Sequence, residues 1–202
     1  MLRINDIKID IEEKPDLKKS VAKRLKIDKG DILKIEIVRR SADARKKGRI
    51  QFVYTLDVEF KDEKKILSLY SAMVSKAEKY VYKPPEGGAS FINPPLIVGF
   101  GPAGMFAALL LSKLGARPVV IEQGEDVDSR VKTVHSFWED GVLSTASNVQ
   151  FGEGGAGTFS DGKLTTRIKD PRAIQVLKWF NEIGGAPDEI TYLAKPHIGT
   201  DK

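Results

Sequence analysis

The sequence predicts an α/β protein in two parts: a small basic α+β domain over residues 1–86, in the order β-α-β-β-α, and a parallel βαβ unit that opens a second domain over residues 87–202. Three observations carry this reading. Within the first 80 residues, stretches of period-two apolar alternation are interspersed with stretches of helical spacing. Periodicity then breaks across Pro84-Pro85-Glu86-Gly87-Gly88 and Pro94-Pro95, as in a linker entering a new domain. Beyond the break, an all-apolar strand, a glycine-rich turn, a helix and a second apolar strand follow one another directly.

Leu2 to Ile11 is Ile-rich and reads as a strand, with a break in alternation near Asp6 that predicts a bulge or bend. Pro15 and Asp16 open a helix, in which Leu17, Val21 and Leu25 recur every four residues while Lys18, Lys19, Lys23 and Arg24 take the other faces. Lys29-Gly30-Asp31 ends it. A strand follows over residues 32–38, with Leu33, Ile35 and Ile37 alternating against Lys34 and Glu36. Another covers residues 51–60, where Phe52, Tyr54, Leu56, Val58 and Phe60 form an apolar face. The intervening polar stretch, Arg39 to Arg49, predicts an antiparallel ribbon with a charged tip. Ile66, Leu69, Tyr70, Met73 and Ala77 then mark one side of a second helix, and both helices are expected on one face of the sheet.

Charge is uneven. Residues 1–90 hold 22 Lys and Arg against 15 Asp and Glu, whereas residues 91–202 hold 11 against 13. An excess of this size is the ordinary result of a solvated lysine-rich surface, and the ribbon tip Arg45-Lys46-Lys47-Gly48-Arg49 is read that way, so nucleic acid is not an expected partner. No apolar run nears the roughly 20 residues of a membrane helix, and the N-terminus lacks a secretory pattern. With no Cys for disulfides, a cytoplasmic protein is expected. The missing Cys also excludes dithiol flavoproteins and thiolate-ligated zinc.

The second domain carries the chemistry. Leu96-Ile97-Val98 leads into Gly99-Phe100-Gly101-Pro102-Ala103-Gly104, a complete G-x-G-x-x-G. Such a turn needs glycine for the tight bend, for approach of backbone to a pyrophosphate, and for packing of the helix on the strand. Residues 105–114 supply the helix, whose N-terminal amides and dipole favour phosphate, and Pro102 suits a first turn that needs no N–H there. A second strand, Pro118 to Ile121, ends in Glu122, followed by Gln123. A carboxylate at that point accepts from ribose hydroxyls and repels the extra phosphate of NADP. The order is that of a Rossmann-type unit, present here in part, and it does not by itself separate FAD from NAD.

A second glycine cluster, Gln150 to Leu164, includes Gly154, Gly155, Gly157, Thr158, Asp161, Gly162 and Lys163. Its glycines permit backbone amides to approach a flat or anionic ligand, and a flexible loop is the alternative. Gly157, Gly162 and Lys163 fit G-x-x-x-x-G-K, but Leu164 stands where a P-loop needs Ser or Thr and no apolar strand precedes it. With few apolar residues to bury, the stretch Asn148 to Lys163 is expected to be mobile without ligand.

Together with Asp128-Ser129-Arg130, Ser147-Asn148-Val149-Gln150 and Lys195-Pro196-His197-Ile198-Gly199-Thr200-Asp201, these motifs resemble the bacterial FAD-dependent dehydrogenases of unassigned substrate, the NAD(P)/FAD-dependent oxidoreductases. The resemblance implies that Gly99, Gly101, Gly104 and Glu122 hold the adenosine diphosphate part of FAD, and Pro102, Ala103 and Gln123 are further candidates for cofactor binding. It implies that the segment around Gly155 to Lys163 lies along its pyrophosphate or flavin; Gly154 is a further candidate for cofactor binding, and NAD(P)H is the candidate electron donor. Arg130 is a candidate to pair with phosphate, the alternative being a surface arginine. Members of the family are much longer, so this chain is expected to be an inactive fragment of a flavin-dependent oxidoreductase.

Of the two histidines, His135 reads as an ordinary helix residue, and His197, between proline and glycine, is the candidate proton-transfer group. Phe137, Trp138 and Trp179 read as core anchors of helices. Two other functions fit the pattern: a plain NAD-binding dehydrogenase, and an RNA-associated or regulatory module in which the nucleotide is structural.

Overall fold

The computed structural model describes residues 1–86, 91–166 and 168–198. It divides into two compact units, one of Met1–Val81 with Leu164–His197, the other of Tyr82–Lys163 with the chain from Ile198 on. The boundary expected at residue 87 lies outside the described residues. Residues 164–197, assigned from sequence to the second domain, group with the first unit instead.

The first unit is built on a four-stranded antiparallel sheet whose strands, β1 (Leu2–Asp10), β2 (Ile32–Lys46), β3 (Arg49–Phe60) and β4 (Val74–Lys76), lie in the order β2-β3-β1-β4. Strand β1 (Leu2–Asp10) buries Leu2 and Ile4, then Ile7 and Ile9, so the inward face changes parity in the middle. The register slips between Ile4 and Ile7, and Asp6 takes φ 58°, which is the bulge that the broken alternation predicts. Helix α1 (Leu17–Leu25) is capped by Asp16, whose carboxylate accepts from the Lys19 amide at 2.9 Å. Its Val21 and Leu25 join Ile66 of helix α2 (Glu63–Leu69) in one core with Tyr54, Leu56, Val58 and Phe60 of strand β3 (Arg49–Phe60). Each fully buried Leu, Ile or Val there contributes about 1.5–3 kcal/mol. Arg3 and Asp57, opposite each other on β1 and β3, pair at 2.8 and 2.9 Å.

Two expectations for this unit are corrected. Strand β2 runs Ile32–Lys46 rather than ending at residue 38, so the expected antiparallel ribbon is present with only Lys47-Gly48 as its turn. A mostly polar ribbon needs no apolar alternation, because its ladder bonds and cross-strand pairs suffice. Helix α2 stops at Leu69 rather than reaching Ala77. Val74–Lys76 instead form strand β4 on the free edge of β1 and bury Val74, while Leu69 and Met73 are exposed.

Residues 164–197 contribute helix α5 (Arg172–Gly184), which buries Trp179 as expected, and a short 3-10 turn, Asp188–Thr191, which buries Ile190. The segment is fastened to the outer edge of β2. Arg40 donates its amide to the Tyr192 carbonyl at 2.8 Å and accepts from the Ala194 amide at 2.9 Å, and its guanidinium stacks near the Phe52 and Tyr192 rings.

In the second unit, strands β5 (Leu96–Val98) and β6 (Val119–Ile121) pair in parallel, joined by helix α3 (Pro102–Lys113). The βαβ order is as expected, but β5 is not enclosed: Leu96 is 61% and Val98 78% exposed, and no α3 residue is fully buried. Two strands and one helix bury only one face of each other. Helix α4 (Val127–Asp140) is capped by Asp126 and ends at Gly141 in the left-handed conformation. Trp138, expected in the core, is 55% exposed and instead meets the His135 and Phe159 rings edge-on.

Candidate functional site

The carboxyl ends of β5 and β6 open into a cavity of about 380 Å³ lined by Val98, Gly99, Gly101, Ile121, Glu122, Gln123, Gln150, Phe151, Gly152 and Gly155. Gly99 leaves β5 with φ +96°, a conformation that disfavours any other residue. Its amide donates to the Ile121 carbonyl at 2.7 Å, extending the β5–β6 pairing into the turn. Pro102, Ala103 and Gly104 form the first turn of α3, with Pro at its start and no side-chain cap at Gly101. At Gly104 a β-carbon would overlap the Gly99 carbonyl oxygen, so the third glycine of the motif is needed for helix–turn packing.

Glu122 closes the opposite side. Its carboxylate accepts the Phe100 amide at 2.6 Å and the Gly124 amide at 3.0 Å. Those bonds, more than the opposing effect of burial, hold its carboxyl below the usual carboxylate range, with the Gln123 and Gly152 amides adding to them. Each carboxylate oxygen has a further lone pair, so the group can still accept a ligand hydroxyl.

The second glycine cluster lies directly on the first. Gly154 donates to the Phe100 carbonyl at 2.9 Å, Glu153 to the Glu125 carbonyl at 3.0 Å, and a β-carbon on Gly155 would come within 3.1 Å of Pro102 Cδ. Gly124 and Gly152 touch backbone to backbone, since a β-carbon on Gly124 would lie 2.5 Å from Gly152 Cα. Residues 155–159, with Gly157 and Thr158, form a 3-10 turn. The loop is therefore tied to the first glycine turn by backbone bonds, and Arg130 adds side-chain bonds to it.

Arg130 is fully buried, neither a surface arginine nor a group free to meet phosphate. Its guanidinium donates to the carbonyls of Asn148, Val149 and Glu153 at 2.9, 3.0 and 2.6 Å and to Thr158 Oγ1 at 3.3 Å, and it lies over the Phe159 ring. Burial pulls it below its usual pKa, against the field of Glu122.

The remaining candidates stand apart from the cavity lining. Lys163 pairs with Asp161 at 2.6 Å on the surface, and Gly162 accepts from the Ile198 amide at 3.0 Å. His197 is exposed in the first unit, and His135 is exposed against Trp138. Gly199, Thr200 and Asp201 of the last motif lie outside the described residues. Conversely, the sequence reading placed Gln150, Phe151 and Gly152 in the second glycine cluster without naming them as cofactor-binding residues, and it assigned no role to Gly124. The glycine directly after Glu122-Gln123 was the available signal, because a glycine following a ribose-type carboxylate marks close approach of another backbone.

Residues 94–136, which run from before β5 into α4, match the family model of an FAD binding domain, and residues 1–59 match a domain of unknown function (DUF8436). The chain is 48% identical over 203 residues to an uncharacterized protein of Clostridium beijerinckii, an alignment covering 99% of this chain and 38% of that protein. The chain thus spans well under half the length of the relative it matches. The FAD-domain match points to an FAD-binding role in an oxidoreductase. Among the described residues no helix is long and apolar enough to cross a membrane, and no His, Asp or Glu cluster could hold a metal ion.

Proposed function

We propose that the second unit holds the adenosine diphosphate part of FAD in a flavin-dependent oxidoreductase, through a Rossmann-type βαβ unit that begins past residue 87. The observation that carries this reading is the apposition of the two glycine clusters beside an ionised carboxylate. Gly99 to Gly104 and Gly152 to Gly155 surround one cavity with Glu122 on its wall. Its volume lies at the low end of the roughly 300–1,000 Å³ of small-molecule sites, which suits a nucleotide half better than a whole dinucleotide.

The residues divide the work by chemistry. The α3 N-terminus offers amides at Ala103 and Gly104 and its dipole to the pyrophosphate, and the missing side chain at Gly101 leaves room for it. Glu122 accepts ribose hydroxyls and disfavours a 2′-phosphate. Gln123, Gln150 and Phe151 supply amide and aromatic surface to the base. FAD, when bound, supplies the hydride and electron chemistry, while the protein orients it. The first unit is proposed as a separate basic domain that contributes none of these contacts. A visible spectrum tests the cofactor: the protein purified without added nucleotide should absorb near about 450 nm, a property of flavin that NAD lacks. A colourless protein that takes up NAD but not FAD would support a nicotinamide dehydrogenase instead.

A further inference from the structure

Arg130 is the largest fully buried side chain among the described residues, and every acceptor it uses is neutral. A buried cation without a carboxylate partner is unfavourable unless dipoles or an incoming anion compensate it. Here the dipoles come from one loop. The Arg130 Nη1 bond to the Glu153 carbonyl continues through the same peptide unit, whose Gly154 amide donates to the Phe100 carbonyl at 2.9 Å, and that carbonyl shares its peptide unit with Gly101 on the cavity wall. Hydrogen bonds in series polarise one another. One end of this series is a fixed positive charge and the other is the peptide between Phe100 and Gly101 in the first glycine turn. Arg130 also stands immediately behind the cavity wall, because a β-carbon on Gly152 would lie 2.5 Å from Arg130 Cδ.

We propose that Arg130 is a positioning residue: its guanidinium folds the loop of residues 148–158 onto the Gly99–Gly104 turn before any nucleotide arrives, and its charge gives the cavity a preference for a diphosphate over an uncharged nucleoside. The second half rests on the nucleotide reading of the cavity given above; the first does not. A lysine at this position keeps the charge but has no planar fork with which to reach three carbonyls at once, and a methionine keeps only the apolar stem.

Amide hydrogen exchange on the ligand-free chain tests the positioning. Gly154 and Gly155 have backbone acceptors in Phe100 and Gly152, and are expected to be protected in the wild type. In Arg130→Met and in Arg130→Lys their exchange should be faster by about tenfold or more, while Leu114 and Val119, bonded at the end of α3 and the start of β6, stay as they were. Unchanged exchange at Gly154 and Gly155 in both variants overturns the positioning role. If the methionine variant also opens at Leu114 and Val119, the comparison is made on the lysine variant, which retains charge and stem. Titration with ADP and with adenosine tests the charge. The wild type should prefer ADP by about tenfold or more, Arg130→Lys should keep most of that preference, and Arg130→Met should lose most of it. A methionine variant with the wild-type ratio overturns the charge effect, since a purely structural role would weaken both ligands together. A wild type that binds neither ADP nor FAD sinks the nucleotide reading, and the exchange measurement still decides whether Arg130 places the loop.

Discussion

Gly104 and Gly99 meet through space that any side chain would fill, because a β-carbon on Gly104 would overlap the Gly99 carbonyl oxygen. The clash is with backbone, so no rotamer can relieve it. Gly104→Ala should therefore push α3 away from β5 and destabilise the second unit by about 1–3 kcal/mol, the usual cost of overpacking. Denaturant unfolding followed at the Leu114 amide measures this, and an unchanged midpoint would show that the turn yields freely.

Glu122 predicts the acid behaviour of the same unit. Its carboxyl is held below the ordinary value of 4.5, chiefly by the Phe100 amide, so in acid the unfolded chain binds more protons than the folded one. Its contribution to stability is complete above that ordinary value and is lost as pH falls through the lower folded value. Glu122→Gln should flatten the stability profile in that window, and should weaken FAD by roughly 1–3 kcal/mol through loss of a charged acceptor. An unchanged dissociation constant would place the ribose elsewhere.

Arg40 fastens residues 164–197 to the first unit by backbone pairing and by stacking between Phe52 and Tyr192. Arg40→Ala keeps the backbone pairs and removes the stacking, worth about 0.5–2 kcal/mol, less the relief of a buried Nε that has no hydrogen-bond partner. The expected outcome is faster proteolysis within residues 164–197 while the β1–β3 core keeps its melting behaviour. Equal cleavage rates in variant and wild type would mean that the backbone pairs suffice.

At the ribbon tip, Arg45 pairs with Asp43 at 2.8 Å and Arg49 approaches Asp10 at 3.4 Å, which halves the charge that Arg45, Lys46, Lys47 and Arg49 could offer to phosphates. Filter binding to single-stranded RNA should show no salt-dependent affinity near physiological ionic strength. A steep salt slope that disappears on charge reversal of these four residues would instead favour the RNA-associated reading.

Local pattern accounts for part of the fold. The even positions of residues 54–60, the broken alternation at Asp6 and the Asp16 cap each depend on neighbours in sequence, and each is found where the pattern puts it. What the pattern missed depends on distant partners. The polar half of β2 is a strand because β3 pairs with it, Val74 enters β4 because β1 has a free edge, and residues 192–194 dock because Arg40 does. In the site, the G-x-G-x-x-G turn and Glu122 were legible because each glycine and the acid has a fixed place in a βαβ unit. The burial of Arg130 was not, since its acceptors are carbonyls, which any sequence supplies. Nor was the position of Gln150 and Phe151 on the cavity wall, which follows from the contact of Gly124 with Gly152.

The central claim, that the turn after β5 receives the diphosphate of FAD, is tested most directly by titrating FAD into the wild-type chain and into Gly101→Val, with ADP as competitor. A β-carbon at Gly101 would lie 3.8 Å from Gly155 Cα, an ordinary contact, so the added γ-carbons and not a misfolded turn are what should exclude the ligand. The account predicts FAD binding to the wild type, displacement by ADP, and loss of binding by about a hundredfold or more in Gly101→Val, consistent with exclusion of a diphosphate and its charged hydrogen bonds. Undiminished FAD binding by Gly101→Val, or binding that ADP does not displace, would contradict it.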